Sequence, residues 1–456
     1  MLKNFQFFSQ SAEFRAAEKA VVQLRNAGYQ AYFAGGAVRD LLMGRSPSDI
    51  DIATSATPDQ IHEVFPKTHD SGVSFGVVTL HMDGFLFETA TFRKECAYSD
   101  GRHPGQTTYT ESPQEDVARR DFTINGMMLD PVTGEVLDFV GGLEDLKHGL
   151  IRTIGNGEDR FREDALRILR AVRFHARYLF PMAPETEESA KKLAGNLKLL
   201  SAERIKSELE EMLTGPHPDV AFRTLLRIGA LNVILPEVAA MDGVAQPPEF
   251  HPEGDVFEHT MIMLKMLAHP TPETAWSVLL HDVGKPVTYK IHEDGKIHFY
   301  GHEAVGAKMA EDIMQRLRSS RELTETVSSA VGNHMRFVNT AQMKRKTLRR
   351  LIAEKSFPVT LEVVRVDCAS CHGIIRDYVY LLDFLHELRG EPVIPEPLLM
   401  GKDLISLGYP AGRSMGGILA ELSDLQLEGK LNSREEAIAW LESAHPAKKS
   451  QKEKSN

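Results

Sequence analysis

The stretch AGGAVRDLLMGRSPSDIDIAT, Ala34 to Thr54, decides how the rest of the chain is read. It predicts a strand, a Gly-Gly turn, a short helix, a loop and a second strand carrying Asp49 and Asp51. Residues two apart in a strand point to one face, so both carboxylates project together while Ile50 and Ile52 face the core. Adjacent carboxylates repel unless a cation lies between them, and all-oxygen ligands suit Mg²⁺. Gly35 and Gly36 lack the Cβ that would hold backbone N–H groups away from a phosphate. Arg39 follows about one helical turn later as a cation on the phosphate side. Together these residues form the minimal apparatus for moving a nucleotidyl group.

Working outward, FGVVTLHMDGFLFETATFR (75–93) alternates on both sides of Asp83-Gly84, which reads as a two-residue hairpin turn. Phe85 and Phe87 share one face and Leu86 and Glu88 the other, making Glu88 a candidate third carboxylate. The bland alternative is a surface acid on a half-buried strand. Upstream, Ser11 can cap a helix with Phe14, Ala17, Val21 and Leu24 at helical spacing, ending at Gly28. From Lys94 to Asp116 periodicity fades, which predicts a mobile loop. Arg119-Arg120-Asp121-Phe122-Thr123-Ile124-Asn125 follows, then MMLDPVTGEVLDFVGGLEDL, two short strands closing the sheet.

The whole string GGAVRD, with D-x-D thirteen residues after Gly36, resembles the head-domain signature of class II tRNA nucleotidyltransferases and bacterial poly(A) polymerases. The resemblance implies a nucleotidyltransferase head with Asp49, Asp51 and Glu88 catalytic. It extends to RRDFTIN, whose second arginine and asparagine (here Arg120 and Asn125) would contact nucleotide phosphate and ribose. A guanidinium forks onto phosphate and an amide can bond a hydroxyl. YSDGRHP (98–104) is similar to the flexible loop of CCA-adding enzymes, with Asp100 and Arg102 as its candidate working residues.

EDRFREDALRILRAVRFHARYLF (158–180) predicts a helix with Asp164, Arg167, Arg170 and Arg173 along one side. In the family resembled, EDxxR forms a protein template in which the acid and first arginine bond the Watson–Crick edge of the incoming base. Asp164 and Arg167 fall on those positions, and Glu163 completes the string. Cytosine and adenine each offer an amine donor beside a ring-nitrogen acceptor; uracil and guanine offer the reverse and leave buried groups unpaired. A hydrogen-bonding site can discriminate by roughly 10⁴–10⁵. Arg170 and Arg173 remain for triphosphate or the RNA backbone. Residues 185–215 continue helical as a neck whose Lys191, Lys192, Lys198, Arg204 and Lys206 could meet RNA phosphates.

A different constellation begins at His251: His259 in FEHTMIML, His281-Asp282 in LLHDVGKP, His302 in YGHEAVG, His334 in GNHM and Asp367 in VRVDCAS. It resembles the HD-domain phosphohydrolases, which implies these six as ligands of a second divalent, transition-metal centre. Imidazole with carboxylate suits such a metal, and bound water would become a nucleophile toward a phosphoester. Lys285 could contact phosphate. Cys368-Ala-Ser-Cys371-His372 matches the haem c attachment string, but no export segment is read, and Cys96 cannot complete a zinc knuckle. The match reads as coincidence. MKRKTLRRLIAEK (343–355) reads as a basic, RNA-guiding helix, 395–424 as a loop and amphipathic helix at the tRNA elbow, and the last ten residues as disordered.

The 456-residue length predicts about three domains. The segments read as a head over 1–150, a neck over 151–235, an HD body over 236–390 and a tail over 391–456: an α+β head with a mixed sheet, followed by all-α parts. No apolar run approaches the ~18 residues of a membrane helix, and MLKNFQFFSQSAEF is not a secretory signal. Three cysteines fit a reducing compartment, so the expectation is cytoplasmic. A net charge of −11 argues against a general nucleic-acid coat and leaves room for a local basic groove with a steep salt dependence. The resemblance implies tRNA, CTP and ATP as partners, with a CCA-adding enzyme first and an A-adding enzyme or poly(A) polymerase as the alternative. A phosphohydrolase using the head only to grip RNA, and a non-catalytic RNA-binding module, are the readings from other classes.

Overall fold

In the computed structural model the described residues are 10–72, 76–94, 108–247, 251–252, 254–293, 295–371, 373 and 375–446. Asp100 and Arg102, the rest of the YSDGRHP string, Cys96, His372 and the last ten residues lie outside them. The chain divides into two compact units, Met1–Ala240 with Arg316–Ser319, and Met241–Gln315 with Ser320–Asn456.

The first unit is built on a seven-stranded mixed sheet of order β3-β4-β5-β2-β1-β8-β9, from Thr68–Gly72, Val77–Met82, Phe85–Thr91, Asp51–Thr54, Ala31–Ala34, Met127–Leu129 and Val136–Asp138. Its pairs are antiparallel except β2–β5. The Ala12–Asn26 helix starts where the Ser11 hydroxyl accepts the Phe14 N–H at 3.1 Å, and it buries Phe14, Ala17, Val21 and Leu24. Asp83 and Gly84 both take positive φ, 50° and 90°, the conformation a tight two-residue hairpin requires. As expected from the alternation, Phe87 is buried and Leu86 is 60% exposed.

The structure departs from expectation in four places. β2 begins at Asp51, so Asp49 lies in the loop before it. The 94–116 stretch is partly ordered: β7 (Thr108–Tyr109) pairs with β6 (Arg93–Lys94), and Ser112 caps a Pro113–Ala118 helix. Proline at the first turn needs no N–H there, and the buried Asp116 anchors the segment by taking Arg119 and Arg120. The long 158–180 helix is two, Gly157–Glu163 and Leu166–Tyr178, broken at Asp164. Asp164 is extended (φ −146°, ψ 104°), and its carboxylate accepts the Leu166 N–H at 3.0 Å, a local bond that competes with the helical ladder. The neck is likewise interrupted, a 3₁₀ turn over Ala194–Leu199 separating Pro184–Leu193 from Ala202–Leu213.

One core runs from Phe14 through Phe33, Ile52 and Phe122 to Ala171, Phe174 and Met182. The sheet and the Leu166–Tyr178 helix are therefore one packed body across residue 150. The second unit is mainly helical with a small β10–β11 hairpin (Lys290–Ile291 with Ile297–His298). It holds separate apolar clusters, one spanning Phe337 to Leu388 and another Leu399 to Leu441.

A 3₁₀ turn, Thr123–Asn125, is held against the Gly142–His148 helix. A Cβ on Gly142 would sit 2.2 Å from the Thr123 carbonyl oxygen and 2.8 Å from Met127 Cγ. Gly142→Ala is expected to lower the unfolding free energy in denaturant titration by about 2–3 kcal/mol. A loss below about 0.5 kcal/mol, the range of neutral surface changes, would contradict this packing.

Candidate active site and metal centre

Strand register assembles the carboxylates. Ala34 pairs with Asp51 across β1–β2, and Ile52 pairs with Thr89 across the parallel β2–β5. Ile52 and Thr89 are fully buried, so Asp51 and Glu88, each one residue earlier, share the opposite face. Burial, then the charges of Asp49 and Glu88, push the Asp51 carboxyl from 3.8 to about 6, against the opposing pull of Arg120. The three acids are thus electrostatically one cluster, whose repulsion Arg120 offsets only in part.

At Gly35 (φ +68°) a Cβ would lie 3.4 Å from Arg120 Nη1 and 3.8 Å from Asp51 Oδ2. A glycine turn, a guanidinium and a carboxylate therefore meet at one point. Arg120 Nη2 donates to Asp116 Oδ2 at 2.9 Å, which fixes one edge of its fork. Burial alone would raise the Asp116 carboxyl, but Arg120 and Arg119 outweigh it and hold it below the usual range.

Arg39 is placed differently from its expected position on an open phosphate side. It is buried, donates to Asp40 Oδ1 at 2.9 Å and to Asn125 Oδ1 at 2.6 Å, and lies over the rings of Tyr178 and Phe174. Gly36 lets this happen, because a Cβ there would be 3.3 Å from Arg39 Nη2. Asn125 Nδ2 in turn donates to Asp121 Oδ1 at 3.2 Å, and Arg170 Nε donates to Asp121 Oδ2 at 2.8 Å. Burial would raise the Asp121 carboxyl; Arg170 and the Asn125 bond reverse the shift. Arg173 is paired with Glu208 at 2.8 Å. Asp116, Asp121 and Glu208 were not singled out from sequence. Asp121 sits inside RRDFTIN, where an acid between two arginines and a buried Phe was the available signal.

Asp164 and Arg167 flank the helix break. Asp164 Oδ2 accepts from Arg204 at 2.7 Å. Arg167 donates to Glu163 at 2.6 Å and to the carbonyls of Arg160 and Arg119 at 3.1 and 2.9 Å. A carboxylate has about four acceptor positions and a guanidinium five donors, so each keeps capacity for a base edge.

In the second unit His259, His281, Asp282, His302, His334 and Asp367 come together. His259 Nε2 is 3.2 Å from Asp367 Oδ1, and His281 Nε2 is 3.0 Å from Asp282 Oδ2. Asp282 Oδ1 is 3.4 Å from His302 Nε2 and 3.9 Å from His334 Nε2. The Nδ1 atoms of His281, His302 and His334 lie 2.8, 2.9 and 2.6 Å from the carbonyls of Val278, Phe299 and Val331. A carbonyl only accepts, so Nδ1 carries the proton and Nε2 faces inward as a ligand. His302 and His334 meet Nε2 to Nε2 at 3.3 Å. Two lone pairs and a carboxylate face to face call for a proton or a cation between them. Burial pushes His334 down to about 4, leaving it neutral at neutral pH and able to ligate. Burial would raise Asp282, yet His281 and Lys285 hold it well below the carboxylate range. Lys285 itself is buried, 2.6 Å from both Asp282 Oδ2 and Gln246 Oε1. Two of the three donors of its ammonium are thus taken by Asp282 and Gln246.

Family models match three segments: the poly A polymerase head domain over 31–152, a probable RNA and SrmB- binding site of polymerase A over 180–241, and the HD domain over 256–369. Residues 31–152 are thus similar to the poly A polymerase head domain and residues 256–369 to the HD domain. It is 40% identical over 257 residues to the CCA-adding enzyme of Lactobacillus johnsonii, covering 56% of this chain and 64% of that protein. It is 44% identical over 229 residues to that of Geobacillus stearothermophilus, covering 50% and 56%. The chain thus spans less than two thirds of the length of these relatives. The crystal structure of the Bacillus stearothermophilus CCA-adding enzyme in complex with CTP superposes with a TM-score of 0.74 at 28% identity, covering 95% of this chain and 98% of that one. Nucleotidyltransferase and HD domains typically use divalent metals. No helix among the described residues is long and apolar enough to cross a membrane.

The raised Asp51 carboxyl has a sign that can be checked. Below about 3.8 it is protonated folded and unfolded alike; as pH rises toward 6 the unfolded chain releases its proton first, so the native state loses stability, and above 6 the full cost persists. Asp51→Asn should therefore stabilise the metal-free protein by about 1–2 kcal/mol at pH 7, after discounting for solvent screening. The gain should vanish below pH 4. Equal stability of the two proteins at pH 7 would contradict the clustering.

Proposed function

We propose that the protein is a CCA-adding tRNA nucleotidyltransferase, using CTP and ATP to build or repair the tRNA 3′ end. The observation that carries this reading is the meeting of Asp51, Gly35 and Arg120, with Asp49 and Glu88 close enough to raise the Asp51 carboxyl. Three oxygen donors suit Mg²⁺, and the repulsion that Arg120 leaves among them favours a site made for a cation. Asp49 and Asp51 would hold it, with Glu88 beside them. Bound there, the ion supplies activation of an RNA 3′-hydroxyl and charge neutralisation of leaving pyrophosphate.

The chain's own residues do the rest. Gly35 lets phosphate approach the backbone, and Arg120 offers its free edge to a phosphate while Asp116 holds the other. Arg39 acts through Asn125, orienting its amide so that the nucleotide ribose meets a fixed group. Asp164 accepts from the exocyclic amine of cytosine or adenine and Arg167 donates to the adjacent ring nitrogen, each through the capacity left by Arg204 and Glu163. Arg170 and Arg173, already paired with Asp121 and Glu208, would set the helix that presents these two and reach phosphate only by sharing. The four-part division into head, neck, HD body and tail belongs to this proposal, as does a cytoplasmic location.

The histidine–aspartate cluster would hold a second divalent transition metal through His259, His281, Asp282 and Asp367, with His302 and His334 at its far side. Its inward Nε2 atoms favour a phosphohydrolase acting on phosphate-ended RNA as an accompanying activity. The alternative for the head is an A-adding enzyme or a poly(A) polymerase.

Purified protein should be given tRNAs lacking the whole CCA end, its last two nucleotides or only its final A, with labelled CTP or ATP. CMP should enter the first, CMP then AMP the second, and AMP alone the third. Absence of CMP incorporation would contradict CCA addition and favour the A-adding alternative.

A further inference from the structure

We propose that one face of the β10–β11 hairpin is a stacking platform for the bases of an unpaired RNA strand whose phosphate-bearing end enters the histidine–aspartate cluster; this rests on the phosphohydrolase reading of that cluster. Lys290 pairs with His298 and Ile291 with Ile297, so the ladder sorts the side chains by face. Lys290, His292, His298 and Tyr300 fall on one face, and Tyr289, Ile291, Ile297 and Phe299 on the other. On the second face Phe299 meets Tyr289 at 5.8 Å between ring centroids, and the Lys285 ammonium lies 5.2 Å from the Phe299 ring centre. The Phe299 carbonyl accepts from His302 Nδ1 at 2.9 Å. The hairpin is therefore anchored to a residue of the cluster and to the lysine beside Asp282.

The first face carries an aromatic stack with an open end. His292 meets His298 edge-on at 4.5 Å and 68°, a cross-strand contact that helps hold the turn. Tyr300 lies beyond the ladder and stacks nearly parallel on His298, at 4.9 Å and 13°. A ring serving only to fasten the hairpin would be covered, yet Tyr300 is 70% exposed. Parallel rings with a free face beside a cation are what sequence-tolerant single-strand binding uses, because every base has a π-face. The four side chains of this face include Lys290 and no acid, which favours an anionic strand as the occupant. A groove of about 580 Å³ lined by Lys290, Ile291, His292 and Glu293 borders it. Tyr300 stands two residues before His302, so their Cα atoms are at most about 7.6 Å apart. Stacked nucleotides repeat at about 3.4 Å, which sets the platform under the last bases before the phosphate end.

A short unpaired RNA with a 3′-phosphate and 4-thiouridine as its last nucleotide, photo-crosslinked to the full chain in the presence of Mn²⁺, tests this. Mass spectrometry should find the crosslink within residues 289–300. Tyr300→Ala should raise the half-saturation of that crosslink roughly tenfold, and Tyr300→Phe, which keeps the ring, should retain the wild-type value. Tyr300 is exposed, so its truncation removes no core packing. No crosslink on the hairpin, or a half-saturation unmoved in Tyr300→Ala, would overturn the proposal and leave the face to a protein partner. Phosphate release from the same RNA reports on the phosphohydrolase reading separately. Release without the hairpin crosslink defeats the platform alone, and the crosslink without release defeats that reading alone.

Discussion

The first unit depends on a repulsion. The parallel register of β2 and β5 sets Asp51 beside Glu88, and the D-x-D spacing brings Asp49 to the same place. Each carboxylate is a poor neighbour for the others, and a fold without another use for them would have separated them. The sheet instead buries Ile50, Ile52, Phe87 and Thr89 behind them, so the acids cannot turn away without exposing core. Stability is given up locally and supplied by packing elsewhere, as at other functional sites.

Around that cluster the arginines are held rather than free. Arg39 is clasped by Asp40, Asn125, Phe174 and Tyr178, and Arg170 by Asp121. A buried ion pair is weak support for stability by itself, but breaking one leaves a charge unpaired. The chain Arg39–Asn125–Asp121–Arg170 therefore fixes position: it ties the glycine turn, the RRDFTIN segment and the neck helix into one geometry. Nucleotide contacts made from any of the three would share a common frame.

Much of this was legible in the sequence. Period-two alternation gave the strands around Asp83-Gly84, a Ser at the right offset gave the first helix, and D-x-D with Gly-Gly gave the carboxylates and the turn. Pair partners were less legible, because which acid an arginine meets depends on tertiary approach: Asp121 and Glu208 lie 49 and 35 residues from Arg170 and Arg173. The break at Asp164 was missed because helical periodicity continues through it, while the side chain's bond to the Leu166 N–H shows only in three dimensions.

The central claim is that Asp49, Asp51 and Glu88 share one cation. Mn²⁺ binding followed by electron paramagnetic resonance, in an Asp282→Ala background that disables the second unit's centre, reads it directly. The account predicts one bound ion whose affinity falls as pH drops through about 6, where Asp51 takes up its proton, and which is weakened at least tenfold by Glu88→Gln. Affinity flat between pH 5 and 7 and indifferent to Glu88 would contradict it.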